Sequence, residues 1–239
     1  LLLLALGAFF AVVAFFIFTA RKTINAAAPA PTAEDRMSPL VALKSPWAVF
    51  GALAIFFYVG SEVTIGDLLT NFLHSPDILN LPLAEAGSMV AWYWGGAMVG
   101  RLAGGLLMLT KIPATTILIV NTAVAATLCL VVTQSSGTTA AYAAIAIGFF
   151  NSIMFPTIFT LTLERSTAPV PATSGLLVFG IIGGAVLPPI AGQIADNSAT
   201  LNPVFYVPLI GYLLLVVFAL AASRARVPCS SAACATRRR

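Results

Sequence analysis

The sequence predicts an all-α membrane protein, a bundle of seven transmembrane helices, and three observations predict it. Hydrophobic residues make up 59% of the 239-residue chain and charged residues 8%. A soluble domain carries about 25% charged residues, so a water-soluble fold of this length could not cover its surface. The mean hydropathy of +0.99 agrees. The apolar residues are also gathered into seven stretches, each near the roughly 20 residues a helix needs to cross a hydrocarbon core of about 30 Å. Helices are the natural solution there, because each satisfies its own backbone away from water.

In chain order the expected spans are residues 1–20, 46–70, 85–109, 112–133, 139–163, 172–195 and 203–222. The first starts without a basic leading segment, which argues against a signal peptide; it reads as a helix entered part-way, as in a fragment. Residues 21–45 form the longest connection, with an Ala/Pro run followed by Glu34, Asp35 and Arg36, and read as a flexible linker. The six spans within 46–223 form one block. Residues 224–239 are small, polar and basic without periodicity, and read as a disordered tail. Eleven of the twelve Lys and Arg residues fall on one side of the alternating spans: Arg21, Lys22, Arg36, Lys44, Lys111, Arg165, Arg224, Arg226, Arg237, Arg238 and Arg239. The opposite loops hold His74, Asp77, Glu85 and Asp196. The positive-inside rule makes the basic side and the C-terminus cytoplasmic.

Composition also removes several function classes. The net charge is +4, but the basic residues are dispersed among apolar runs and give no face that tracks nucleic-acid phosphates. Three cysteines are too few for a disulfide scaffold. No metal-ligand cluster, phosphate loop, Ser-His-Asp set or dinucleotide glycine pattern is present in the sequence, so neither an enzyme nor a cofactor is expected. A seven-helix receptor is the alternative that the span count allows. A retinal protein is excluded, since no Lys lies inside a span.

Four runs carry a more specific signal: Tyr58-Val-Gly-Ser-Glu-Val-Thr-Ile-Gly66, Tyr93-Trp-Gly-Gly-Ala-Met-Val-Gly-Arg101, Phe150-Asn-Ser-Ile-Met-Phe-Pro-Thr-Ile-Phe159, and Ser174-Gly-Leu-Leu-Val with Ile182-Gly-Gly184. In order, one per expected helix, they resemble the fucose–galactose–glucose:proton symporter family of the major facilitator superfamily, and Glu62 makes the first run nearer to glucose/galactose members. The resemblance implies a major facilitator-type bundle. The chain would hold the last helix of the N-terminal half and the whole six-helix C-terminal half, built of two inverted three-helix repeats. It also implies secondary transport of a monosaccharide coupled to protons, with the other half of the transporter as partner. The loop after the Gly-Arg helix is only Thr110-Lys-Ile-Pro113, shorter and less basic than in most facilitators.

Within that frame Glu62, Asn151, Trp94, Trp92 and Tyr58 are the candidate substrate residues. Glu62 lies mid-span, where a charge costs about 2.5–3.5 kcal/mol on the insertion scale; it reads as a sugar-hydroxyl acceptor or a protonation site, against a structural interhelical bond. Asp67 is about 140° around the helix from Glu62, so it and Asn71 read as outer-gate or headgroup-level residues. Trp92 and Trp94 suit either stacking on sugar C–H faces or an interfacial aromatic belt, the belt fitting Trp92 better. Arg101 reads as structural or gating, bonded to backbone carbonyls or to a carboxylate such as Glu164. Gly96 and Gly100, with Gly104, form a small-residue stripe for close helix contact. Asn151 precedes Pro156, which lacks a donor and frees the carbonyl of Ser152; a kinked helix with an amide beside it suits a substrate site. Gly183 and Gly184, with Gly180, Pro188 and Pro189, break the sixth span, which reads as a flexible or bent helix, either a moving gate or a packing surface.

Overall fold

The computed structural model describes residues 2–27 and 38–225, and within them all regular structure is helical. Helix α1 (Leu2–Ala27) belongs to a unit of its own, and the chain from Met37 onward forms a second. α1 runs past the expected end at residue 20, so Arg21 and Lys22 sit on a helix, with the Arg21 guanidinium 4.2 Å from the centre of the Phe18 ring. Residues 28–37 and the expected tail beyond 225 lie outside the described residues.

The end of the expected linker is ordered structure. Ser38 caps a short 3-10 helix (Pro39–Lys44), whose Ala42 is buried with Ala48, Ala172 and Leu176. Helices α2 (Pro46–His74), α3 (Leu83–Met108) and α4 (Ala114–Gln134) follow, each close to an expected span. The fifth span is two helices, α5 (Gly137–Asn151) and α6 (Met154–Arg165). The sixth is α7 (Val170–Phe179) and α8 (Gly183–Asp196), joined by a 3-10 turn at Gly180–Ile182. The last is a 3-10 turn (Asn202–Phe205) leading into α9 (Tyr206–Arg224).

Among the described residues six helical stretches are long and apolar enough to cross a membrane, those of α1, α2, α4, α5–α6, α7–α8 and α9. α3 has the length, but its glycines and polar residues keep it below that hydropathy, so six of the seven expected spans meet both criteria. The exterior is apolar: Leu53, Met98, Leu102, Val120, Phe179, Ile210 and Val217 are all exposed, while Thr122, Asn151, Thr162 and Arg165 are buried and hydrogen-bonded. Apolar outside with polar residues paired inside is the arrangement that lipid favours.

The helices pair as two inverted repeats would. α2 packs on α8, α3 on α5, and α4 on α9, so first helix meets second and third meets third across the repeats. Hydrogen bonds fix which loops share an end. Gly137 N–H donates to Asp77 O (2.9 Å), and Asn202 Nδ2 donates to Val132 O and Ser135 O (both 2.7 Å), gathering the α2–α3, α4–α5 and α8–α9 loops. At the other end Ser166 Oγ donates to Ser45 Oγ (3.2 Å) and shares a bond with Thr173 Oγ1 (2.9 Å). Lys44, Lys111, Arg165 and Arg224 therefore lie at one end of the bundle, and His74, Asp77, Glu85 and Asp196 at the other.

Candidate functional site

The break between α5 and α6 organises the site. Pro156 has no N–H to give to the Ser152 carbonyl, and that carbonyl accepts instead from Arg101 Nε of α3 (3.2 Å). The neighbouring Asn151 carbonyl accepts from the Tyr58 hydroxyl of α2 (3.0 Å). Two carbonyls of the interrupted helix are thus satisfied by side chains from two other helices, as buried backbone groups require. Close approach makes this possible. A Cβ on Gly96 would lie 3.5 Å from Phe149 N, and one on Gly100 would lie 2.6 Å from Ser152 Oγ and collide with the Phe149 carbonyl. The glycine stripe of α3 is the bed on which the break rests.

Beside the break is a cavity of about 360 Å³ lined by Tyr58, Glu62, Arg101, Phe155 and Pro156. Glu62 is half-buried one turn beyond Tyr58 on α2. The geometry gives the single Tyr58 proton to the Asn151 carbonyl rather than to Glu62. The cavity therefore has a carboxyl group and a guanidinium on its wall, beside the apolar Phe155 and Pro156. An acceptor-only group beside a donor-only group suits a ligand whose hydroxyls both donate and accept.

Tyr58, Glu62 and Arg101 are brought together, and the other candidates are not. Asn151 is fully buried and does not line the cavity. Its amide nitrogen donates to the Tyr93 hydroxyl (2.9 Å), its amide oxygen accepts from Tyr212 (2.7 Å), and Tyr93 in turn donates to the backbone carbonyl of Glu62 (3.2 Å). The expectation of a cavity-facing amide is corrected to a buried clasp joining α2, α3, α5 and α9. Trp92 is 72% exposed and does not line the cavity. Trp94 packs edge-on against Tyr93 (5.1 Å between centres) and over Gly66, beside rather than in the cavity. Asp67 and Asn71 are exposed on other faces of α2. Glu164 does not meet Arg101; it pairs with its neighbour Arg165 (3.2 Å). Gly183 and Gly184 are packing positions, where a side chain on Gly183 would collide with the Phe56 carbonyl and one on Gly184 would crowd Val59 and Val63 (3.2 Å each).

Two further residues escape the sequence reading. Tyr212 is the third member of the clasp, and a tyrosine inside an apolar span is its signal, since a buried hydroxyl needs a partner. Arg165, read only as a loop charge, is buried: its Nε and Nη2 donate to Ala222 O (3.2 and 2.9 Å) and its Nη1 to Leu161 O (3.0 Å). It satisfies one carbonyl in the last turn of α9, where a cation also meets the negative end of the helix dipole.

The fold and the site define a class, a major facilitator-type helical bundle. It aligns with the crystal structure of a point variant of the Escherichia coli fucose:proton symporter FucP, with a TM-score of 0.78 at 20% identity over 91% of this chain and 55% of that one. FucP in the outward conformation gives 0.74 at 21% identity over 83% and 48%. The glucose/galactose transporter of Brucella abortus (strain 2308) is 40% identical over 176 residues, 74% of this chain and 42% of that protein. The putative glucose/galactose transporter of Helicobacter pylori (strain J99 / ATCC 700824) is 42% identical over 72% and 42%. The L-fucose-proton symporter of Escherichia coli K12 is 28% identical over 72% and 38%. The chain belongs to the fucose–galactose–glucose group of the major facilitator superfamily. No protein-family model matches it. The chain spans about 42% of the length of the glucose/galactose transporters it matches, and the relatives named are transporters rather than enzymes.

Proposed function

We propose that this six-helix block is the substrate-binding C-terminal half of a proton-coupled monosaccharide transporter, working by alternating access with a second half of like fold. The observation that carries the proposal is the cavity at the α5–α6 break, with Glu62 and Arg101 on its wall, in a chain 40% identical to a glucose/galactose transporter. Broken helices beside a mid-membrane cavity are where transporters of this architecture hold their substrates. Glu62 accepts sugar hydroxyls, Tyr58 and Arg101 hold the break open beside it, and Phe155 supplies an apolar surface for sugar C–H groups. The basic end of the bundle faces the cytoplasm of a bacterial inner membrane.

The test is uptake by the full-length protein in proteoliposomes under an imposed pH gradient, with labelled glucose, galactose and fucose. Accumulation of one of them is expected, and inactivity of folded protein toward all three would remove the substrate assignment. Glu62→Gln is expected to lower apparent affinity by about tenfold, the worth of one charge-assisted hydrogen bond, with insertion unchanged. Wild-type uptake by that variant would make Glu62 a structural residue.

A further inference from the structure

Three side-chain hydrogen bonds and one turn of α2 close a ring behind the cavity. The Tyr58 hydroxyl donates to the Asn151 carbonyl (3.0 Å), the Asn151 amide nitrogen donates to the Tyr93 hydroxyl (2.9 Å), and Tyr93 donates to the backbone carbonyl of Glu62 (3.2 Å). Tyr58 and Glu62 stand four residues apart on α2, so the helix itself completes the circuit. Tyr58 and Glu62 line the cavity, whereas Tyr93 and Asn151 are fully buried and do not. Tyr93 has little room to move. α5 presses on its backbone, where a Cβ on Gly148 would collide with the Tyr93 carbonyl. The next residue, Trp94, closes over Gly66 one turn beyond Glu62, with a ring carbon 2.8 Å from where a Cβ would stand. Tyr212 of α9 holds the Asn151 amide from the other side (2.7 Å).

We infer that Tyr93 is a positioning residue, one that does not touch the sugar but sets where Glu62 stands against the α5–α6 break. The inference rests on the sugar-binding reading of Glu62 above. Hydrogen bonds tolerate only a few tenths of an ångström before they weaken, so a carboxyl group on one wall serves a ligand only if that wall is held in register with the others. Rotation about its own bonds moves the Glu62 carboxyl group, but its backbone moves only with α2. Tyr93 restrains that backbone at Glu62, and the Tyr58 bond restrains it one turn away, where α2 meets the last residue of α5. The ring therefore ties the carboxyl-bearing wall to α3 and to the edge of the helix break. Tyr93→Phe removes the hydroxyl alone. It keeps the aromatic packing, leaves the Asn151 amide nitrogen without its acceptor and frees α2 at Glu62. A hydroxyl that only stabilised the bundle would matter whatever residue stood at position 62. One that positions Glu62 matters only while the carboxyl group is there to be positioned.

The experiment is a double-mutant cycle on the full-length protein in proteoliposomes, reading equilibrium binding of labelled galactose, with labelled glucose and fucose as further probes. Tyr93→Phe is expected to weaken binding about fivefold, part of the loss of about tenfold expected of Glu62→Gln. In the Glu62→Gln background the same substitution is expected to cost less than about twofold, because its effect runs through the carboxyl group. Additivity, with a loss of about fivefold in both backgrounds, overturns the inference and leaves Tyr93 a structural residue of the bundle. Wild-type affinity in Tyr93→Phe, whatever happens to its thermal midpoint, overturns it too. Asn151→Ala cuts the ring at a second point and supplies the same cycle if the phenylalanine variant fails to fold. Wild-type affinity in Glu62→Gln removes the role of Glu62 and the inference with it. No binding of any of the three sugars by wild type removes the sugar reading itself, a result distinct from all the others.

Discussion

Asn151 commits both ends of its side-chain amide inside the bundle, one to Tyr93 and one to Tyr212. Its position beside Pro156 was legible from the sequence; its direction was not, because Tyr93 and Tyr212, the partners that fix it, lie on other helices 58 and 61 residues away. Glu62 was legible because an intramembrane carboxylate must find a cavity or a partner. Tyr212 and Arg165 were harder, since their partners are far away in sequence. Asn151→Ala leaves the buried Tyr212 hydroxyl without its acceptor, and Tyr212→Phe leaves the amide oxygen without its donor. Each is expected to cost about 1–3 kcal/mol of stability, read as a lower thermal unfolding midpoint in detergent. The double variant is expected to cost less than the sum, because both remove the same bond; strict additivity would show that the 2.7 Å contact contributes nothing.

Element by element, composition located the helices well and their interruptions in part. Pro156 announced the α5–α6 break and Gly180 the turn before α8, whereas Pro188 and Pro189 lie within α8 without ending it. The short 3-10 helix at Pro39–Lys44 was hidden because its burial depends on Ala172 and Leu176, which periodicity does not reveal. The contact between α3 and the break depends on having no side chain at Gly100. Gly100→Ala would place a methyl 2.6 Å from Ser152 Oγ and against the Phe149 carbonyl. α3 must then retreat and draw Arg101 off the Ser152 carbonyl. The expected cost is about 1–3 kcal/mol, as for an overpacked core, together with loss of the sugar binding proposed for the cavity. Gly105→Ala, on the same helix with nothing within 4 Å, is expected to be neutral or to stabilise by about 0.4–1 kcal/mol through the unfolded state. Equal effects of the two substitutions on the thermal midpoint would mean that helix propensity, and not close approach, governs both.

For the molecule as a whole, charge sets direction. Lys44, Lys111, Arg165 and Arg224 share one end of the bundle and Asp77, Glu85 and Asp196 the other, an arrangement tied together by the Gly137–Asp77, Asn202–Ser135 and Ser166–Ser45 hydrogen bonds. The 26 residues of α3 separate these ends by about 39 Å, so a single labelling site at each end reports the orientation without ambiguity. An anionic cytoplasmic leaflet attracts basic residues at its surface by about 1 kcal/mol each, and those residues resist translocation during insertion. Of the cysteines, Cys129 is buried, so replacing Cys229 and Cys234 by Ser gives a background quiet to surface reagents. In that background Asp77→Cys is expected to react with a membrane-impermeant maleimide on intact cells. Lys111→Cys is expected to react only after permeabilisation. The reverse pattern would turn the bundle over, putting Arg165 and the end of α9 outside and reversing the side to which the α5–α6 break is oriented.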